Sequence, residues 1–223
     1  MSNIFVSSIG KKVMMSLAGL FLVVFLLVHL AINLTLIFSD SREPFNKAAH
    51  FMATNAVVVI LEVILFGGFL LHMIYGVIIQ VQNWYARPLR YQKENYSHTS
   101  FFSKFMIHTA AIITVFLVIH LMDFYFNAKI FGNVPRVIYD GKEFNDLGIL
   151  VIEKFKIGWY VIFNIACFLF LAFHLLHGFQ SAFQSLGLNH PFYSPVIRVT
   201  GIIYTVVVTA GFILIPIYIY FRM

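Results

Sequence analysis

Phe25-Leu26-Leu27-Val28-His29-Leu30 sets five hydrocarbon or aromatic side chains around one imidazole. The run that contains it, Val13 to Phe38, carries no charge. Such a stretch reads as a membrane-crossing helix, because about 20 apolar residues span the hydrocarbon layer. Composition agrees: of 223 residues, 61% are hydrophobic and only 11% charged, against about 25% charged in a soluble domain. Further apolar runs at about 52–83, 105–127, 157–184 and 199–221 bring the number of spans to five. The fold class this implies is all-α integral membrane, a bundle of five transmembrane helices forming one domain over residues 1–223. Helices are required because a lipid-exposed backbone must satisfy its own amides.

The linkers fit this division. Residues 39–47 are short and polar, 83–100 are basic with a proline break, and 128–156 form the longest loop and hold four of the nine acids. Segment 185–198 contains Gly187, Pro191 and Pro195. Lys11 and Lys12 precede span 1, and Arg87, Arg90, Lys93 and Lys104 lie between spans 2 and 3. Placing these cations inside puts the N-terminus in the cytoplasm and the C-terminus outside. The net charge of +6 suits anionic headgroups rather than nucleic acid. Cys167 is the one cysteine, so no intrachain disulfide and no Cys-x-x-Cys-His motif exists. No cleavable signal peptide is expected, since the first apolar run is too long for one.

Nine histidines can be sorted by depth. His29, His72, His108, His120, His174 and His177 fall within spans, His50 at the outer edge of span 2, and His98 and His190 in inner loops. At 1.5 Å per residue, His29 lies roughly 25 Å from the inner surface, and His120 nearly the same. His72 and His174 share a layer in the inner half. Four helices thus supply two imidazole pairs stacked across the membrane. Phe25 to Leu30 is echoed by Phe116-Leu117-Val118-Ile119-His120-Leu121 in span 3, and His72 and His174 are followed four residues later by Gly76 and Gly178. A glycine at i+4 shares the histidine's helix face and leaves room for something large and flat. A porphyrin is such an object, and imidazoles from two helices are natural axial ligands for its iron. His177 competes with His174, because Ser181 gives it a small i+4 neighbour; His174 is preferred. A zinc or di-iron site would need all four ligands at one depth.

Intramembrane acids are candidates for proton handling. Glu62 lies ten residues before His72, roughly 15 Å further out and near the outer pair. His50 is a second candidate for quinone or proton exchange. Asp123 reads as a solvated helix end, and Trp84, Tyr85 and Trp159 as an aromatic belt.

At these residues the chain resembles the di-haem cytochrome b anchor subunit of bacterial succinate dehydrogenases and fumarate reductases, the single five-helix type. The motifs are Ser8-Ile9-Gly10-Lys11-Lys12 leading to His29, the run from Glu43 to Met52, Leu71-His72-Met73-Ile74-Tyr75-Gly76, Thr114 to His120, and Phe173-His174-Leu175-Leu176-His177-Gly178. Their order and spacing cover nearly the whole chain. The resemblance implies two b haems, His29 with His120 on the distal one and His72 with His174 on the proximal one. It implies a flavoprotein subunit with FAD and an iron–sulfur subunit on the cytoplasmic face. It also implies menaquinone or another quinone reacting near the distal haem, in a bacterial inner membrane, as part of a respiratory chain and the tricarboxylic acid cycle. The loops 83–104 and 185–198 are the expected docking surfaces. In place of a family carboxylate beside the proximal haem, this chain has Ala172. The alternatives are a haem anchor of another membrane oxidoreductase and a haem-free transporter with histidine relays. Dimerisation of the complex is left open.

Overall fold

A computed structural model describes residues 7–86 and 105–223. In chain order its elements are α1 (Ser8–Leu34), α2 (Glu43–Thr54), α3 (Ala56–Tyr85), α4 (Met106–His120, continued as a π-helix over Leu121–Phe131), β1 (Arg136–Tyr139), β2 (Lys142–Asn145), α5 (Leu147–Phe155), α6 (Gly158–Ser185) and α7 (Ser194–Arg222). Five of these, α1, α3, α4 with its π segment, α6 and α7, are long and apolar enough to cross a membrane. They are the five spans read from the sequence, with shifted ends.

The shifts have local causes. The Ser7 hydroxyl caps α1 by accepting from the Gly10 N–H, which starts the helix five residues before the uncharged run. Span 2 is split at Asn55. Its N–H donates to Phe51 O to close α2, and its Oδ1 accepts from the N–H groups of Val57 and Val58 to open α3. One side chain thus satisfies the orphan amides of a new helix start. α6 ends in paired hydrogen bonds, Leu188 N–H to Phe183 O and Gly187 N–H to Gln184 O. Gly187 adopts φ 81° there, the left-handed terminus a residue without Cβ accepts at no cost.

α1, α3, α4 and α6 form a four-helix ring in which α1 packs along α3 and α6, and α4 packs along α6. α3 meets α4 through Thr114 Oγ1 on Met73 Sδ and Phe66 on Tyr125. That makes α1–α4 and α3–α6 the diagonals; neither of these, nor the α3–α4 side, is a closely packed pair. α7 lies outside, along α6 and α1. It approaches closely where Cβ-free residues permit: a Cβ on Gly211 would sit 2.8 Å from Leu30, and one on Gly201 would sit 2.7 Å from Phe179. Small residues at such crossings are how membrane helices gain contact. Tyr204 of α7 donates its hydroxyl to Val23 O of α1 at 2.6 Å.

The two connections on this side, expected as a short polar linker and a long loop, fold together into a cap at one end of the ring. α2 packs on β2 and α5, and α5 on α6, α7 and the π segment. β1 and β2 form an antiparallel hairpin with Tyr139 opposite Lys142. Asp140 and Gly141 at φ 51° and 72° form its two-residue turn, the mirror-type geometry that suits strand twist. Beneath the cap lies the apolar core, with Leu30, Leu36, Phe45, Ile152, Phe168, Val208, Phe212 and Ile219 all buried. The cap is locked by Asn46, which is fully buried. Asn46 Nδ2 donates to Asp146 Oδ1 at 2.8 Å and to Tyr139 Oη at 3.2 Å, and its Oδ1 accepts from Gly148 N–H at 2.9 Å. Arg42 completes the lock with a salt bridge to Asp146 at 2.9 Å. Burial alone would push the Asp146 carboxyl up; the hydrogen bonds from Arg42, Asn46 and the Ile149 N–H outweigh it and hold it below the ordinary range.

Candidate functional site

The bundle diagonals are where the histidines meet. His29 of α1 faces His120 of α4, ring centroids 5.7 Å apart and planes at 85°. His72 of α3 faces His174 of α6 at 6.2 Å and 72°. Each pair therefore joins two helices whose backbones do not pack, and the imidazoles occupy the space between them. Facing side chains in a bundle core are a common way to build a cofactor site.

The heights of the pairs can be read along the helices. Gly19 of α1 abuts His72, so the far pair lies level with Gly19. His29 is ten residues further along α1, about 15 Å at the helical rise. On α4, Thr109 touches His174, and His120 lies eleven residues beyond, about 16 Å. Two helices independently give the same separation. The pair nearer the cap is His29 with His120; the far pair is His72 with His174.

Aromatic rings clamp the cap-side pair. Phe25 stacks on His29 at 5.3 Å, and Phe116 stacks on His120 at 5.6 Å. These are the phenylalanines of the internal repeat, each four residues before its histidine and so on the same helix face. Phe212 and Phe124 close in at 5.9 Å from His29 and 5.2 Å from His120. Asn33 donates to the His29 carbonyl at 2.8 Å, with its amide 3.5 Å from the ring Nε2. One turn before Phe212, the Thr209 hydroxyl is buried with no hydrogen-bond partner among the described residues.

The far pair is held by polar contacts instead. His72 Nδ1 lies 3.2 Å from the Met15 carbonyl. A carbonyl only accepts, so Nδ1 carries the proton. His174 Nδ1 lies 3.4 Å from Thr109 Oγ1, whose own proton has a nearer acceptor in Met106 O at 2.9 Å; with the proton there, the oxygen is open to an N–H from Nδ1. A Cβ on Gly76 would meet nothing within 4 Å, and one on Gly178 would meet only Met106 Cε at 3.6 Å. The space is open at Gly76, whereas at Gly178 Met106 borders it.

No family model, curated protein or solved structure matches the chain. The site must be read from its own chemistry. Two imidazoles that share one metal, with metal–nitrogen bonds of about 2 Å, have ring centres about 5–6 Å apart. Both pairs stand close to that spacing. Among the described residues no group of three or more His, Cys, Asp or Glu is gathered to hold a metal; the donors come in twos. Paired imidazoles in an apolar, aromatic surround, with open space at Gly76, could hold a haem iron between them.

The remaining candidates fall elsewhere. His50 sits on α2, which is separate from span 2, with its ring 5.0 Å from Phe144 of the hairpin. Glu62 is not a solitary acid: Lys129 donates to both its oxygens, to Oε1 at 2.7 Å, and Tyr125 donates to Oε1. Those partners stand five and nine residues beyond His120, towards the cap. Asp123, expected as a solvated helix end, pairs with Lys154 and accepts from Tyr160 Oη at 2.8 Å. His177 is half-buried one turn from His174, and the ring that faces His72 is that of His174. His108 and His190 are exposed. His98, Arg87, Arg90, Lys93 and Lys104 lie outside the described residues.

Proposed function

We propose that this chain is the di-haem membrane anchor of a succinate:quinone or quinol:fumarate oxidoreductase, with His29 and His120 holding one b haem and His72 and His174 the other. The observation that carries the reading is geometric: two imidazole pairs at metal-sharing distance, on the two diagonals of one bundle, about 15 Å apart in height. A bound haem at each pair would supply reversible one-electron chemistry. The residues of the chain do the rest. The imidazoles bind, the phenylalanines and Gly76 shape an apolar slot, and the cap covers one end.

In this reading the cap faces the outside, and the opposite end receives an iron–sulfur subunit and its flavoprotein partner. Dicarboxylate chemistry takes place in those partners, since the described residues here hold no constellation suited to it. Menaquinone or another quinone reacts on the cap side. His50 and Glu62 stay as candidates for its protons, Glu62 now in the company of Lys129 and Tyr125.

The test is a reduced-minus-oxidised spectrum with haem quantitation on the purified protein, repeated for His29→Ala and His174→Ala. Two b-type haems, with a different one lost in each variant, are expected. A well-folded protein without haem would sink the reading in favour of a histidine-relay transporter. Two haems undisturbed by His174→Ala would move that ligand to His177.

A further inference from the structure

Metal-binding histidines commonly donate their second ring N–H to a carbonyl or other acceptor, which fixes the tautomer and the ring angle. The far pair shows that arrangement on both sides, from two different helices. Met15 O of α1 takes the His72 proton, and Thr109 Oγ1 of α4 takes that of His174. Thr109 is buried, and Met106 O at 2.9 Å is a nearer acceptor for its hydroxyl proton than the His174 ring at 3.4 Å, which leaves the hydroxyl oxygen to accept from Nδ1–H. Gly19 is part of the same device. A Cβ there would lie 3.1 Å from His72 Cε1 and 3.2 Å from Nδ1, so the ring would have to give way and its bond to Met15 would suffer.

We propose that Met15, Gly19 and Thr109 are positioning residues for the far pair, holding each Nδ1–H so that both Nε2 atoms are presented as the ligands. This rests on the di-haem reading, and it assigns the far haem a tuning through hydrogen-bonded Nδ1–H groups, whereas the cap-side pair has only the 3.5 Å approach of the Asn33 amide to His29 Nε2. An imidazole whose N–H is hydrogen-bonded is a more basic ligand, which favours the oxidised iron and lowers the reduction potential.

The experiment uses the intact haem-loaded protein with Thr109→Val, Thr109→Ser and Gly19→Ala. Haem release to excess apomyoglobin and the midpoint potential are followed separately for the two sites. In Thr109→Val and Gly19→Ala the far site should lose haem about 10–100-fold more readily, with its potential raised, while the cap-side site stays as in the parent and vouches for the fold. Thr109→Ser keeps the acceptor and should behave as the parent does. Unchanged release and potential in Thr109→Val and Gly19→Ala would overturn the proposal; so would both sites shifting together. If the parent takes up no haem, the functional reading fails on its own. Nitrogen-15 NMR of the haem-free protein then decides the positioning claim. Nδ1-protonated His72 and His174, with His174 altered in Thr109→Val, would support it, and Nε2-protonated rings would overturn it.

Discussion

The two histidine pairs answer one demand, a fixed imidazole inside hydrocarbon, in two ways. The far pair is oriented by hydrogen bonds from Nδ1 to Met15 O and Thr109 Oγ1. The cap-side pair is oriented by packing, with four phenylalanine rings around two imidazoles. Hydrogen bonds set an angle and a tautomer and tolerate some slack around them. Packing sets a position only while every neighbour remains in place. The cap-side pair should therefore depend on the stability of the core, and the far pair on single polar atoms.

The sharpest way to break this contrast is to remove a ring outright. If the pairs hold haem as proposed, His120→Ala should abolish the cap-side spectral component and leave the far one intact, as read in the reduced-minus-oxidised spectrum. Next comes Phe212→Ala. Phe212 is buried, stacks on Phe168 at 5.5 Å and abuts His29. Its truncation should cost about 3–5 kcal/mol of stability in detergent unfolding and disturb the cap-side signal before the far one. Asn46→Ala strands partners of a buried side chain and should cost about 1–3 kcal/mol. That loss should appear as faster hydrogen exchange in α2 and the hairpin, with both pairs spectrally unchanged. The smallest effect expected is that of acid. Asp146 is held below its ordinary range when folded, so its contribution is complete above about pH 4. It is lost as the pH falls through the depressed folded value. The thermal midpoint of the parent should fall in that window, and that of Asp146→Asn, already lower, should fall less.

The spans were legible because hydrocarbon is an unambiguous signal: uninterrupted apolarity over 20 residues has few other uses. The pairing of His29 with His120 and of His72 with His174 was legible because helical rise turns residue number into depth. The Asn55 break was not, because apolar periodicity runs through it and only the side-chain cap reveals the stop. The Asp140-Gly141 turn carried a readable hairpin signal, hidden by the mixed charges around it. The partners of Glu62 were out of reach, since Lys129 is 67 residues away and sits on a π-helical stretch that α-helical counting would phase wrongly. The phenylalanines of the repeat were visible in the sequence; their stacking on the imidazoles appears only once the rotamers are known.

The contact between Gly19 and His72 fixes one more quantity. With His29 ten residues onward, the two layers are about 15 Å apart, half of a hydrocarbon slab about 30 Å thick. A unit charge passing from one layer to the other traverses half of the membrane voltage. Since a full crossing is worth about 2.3 kcal/mol per 100 mV, such a transfer is worth about 1 kcal/mol at that voltage. On the di-haem reading, an energised membrane would bias charge transfer between the layers in one direction by up to roughly a factor of ten, and a de-energised one would remove that bias.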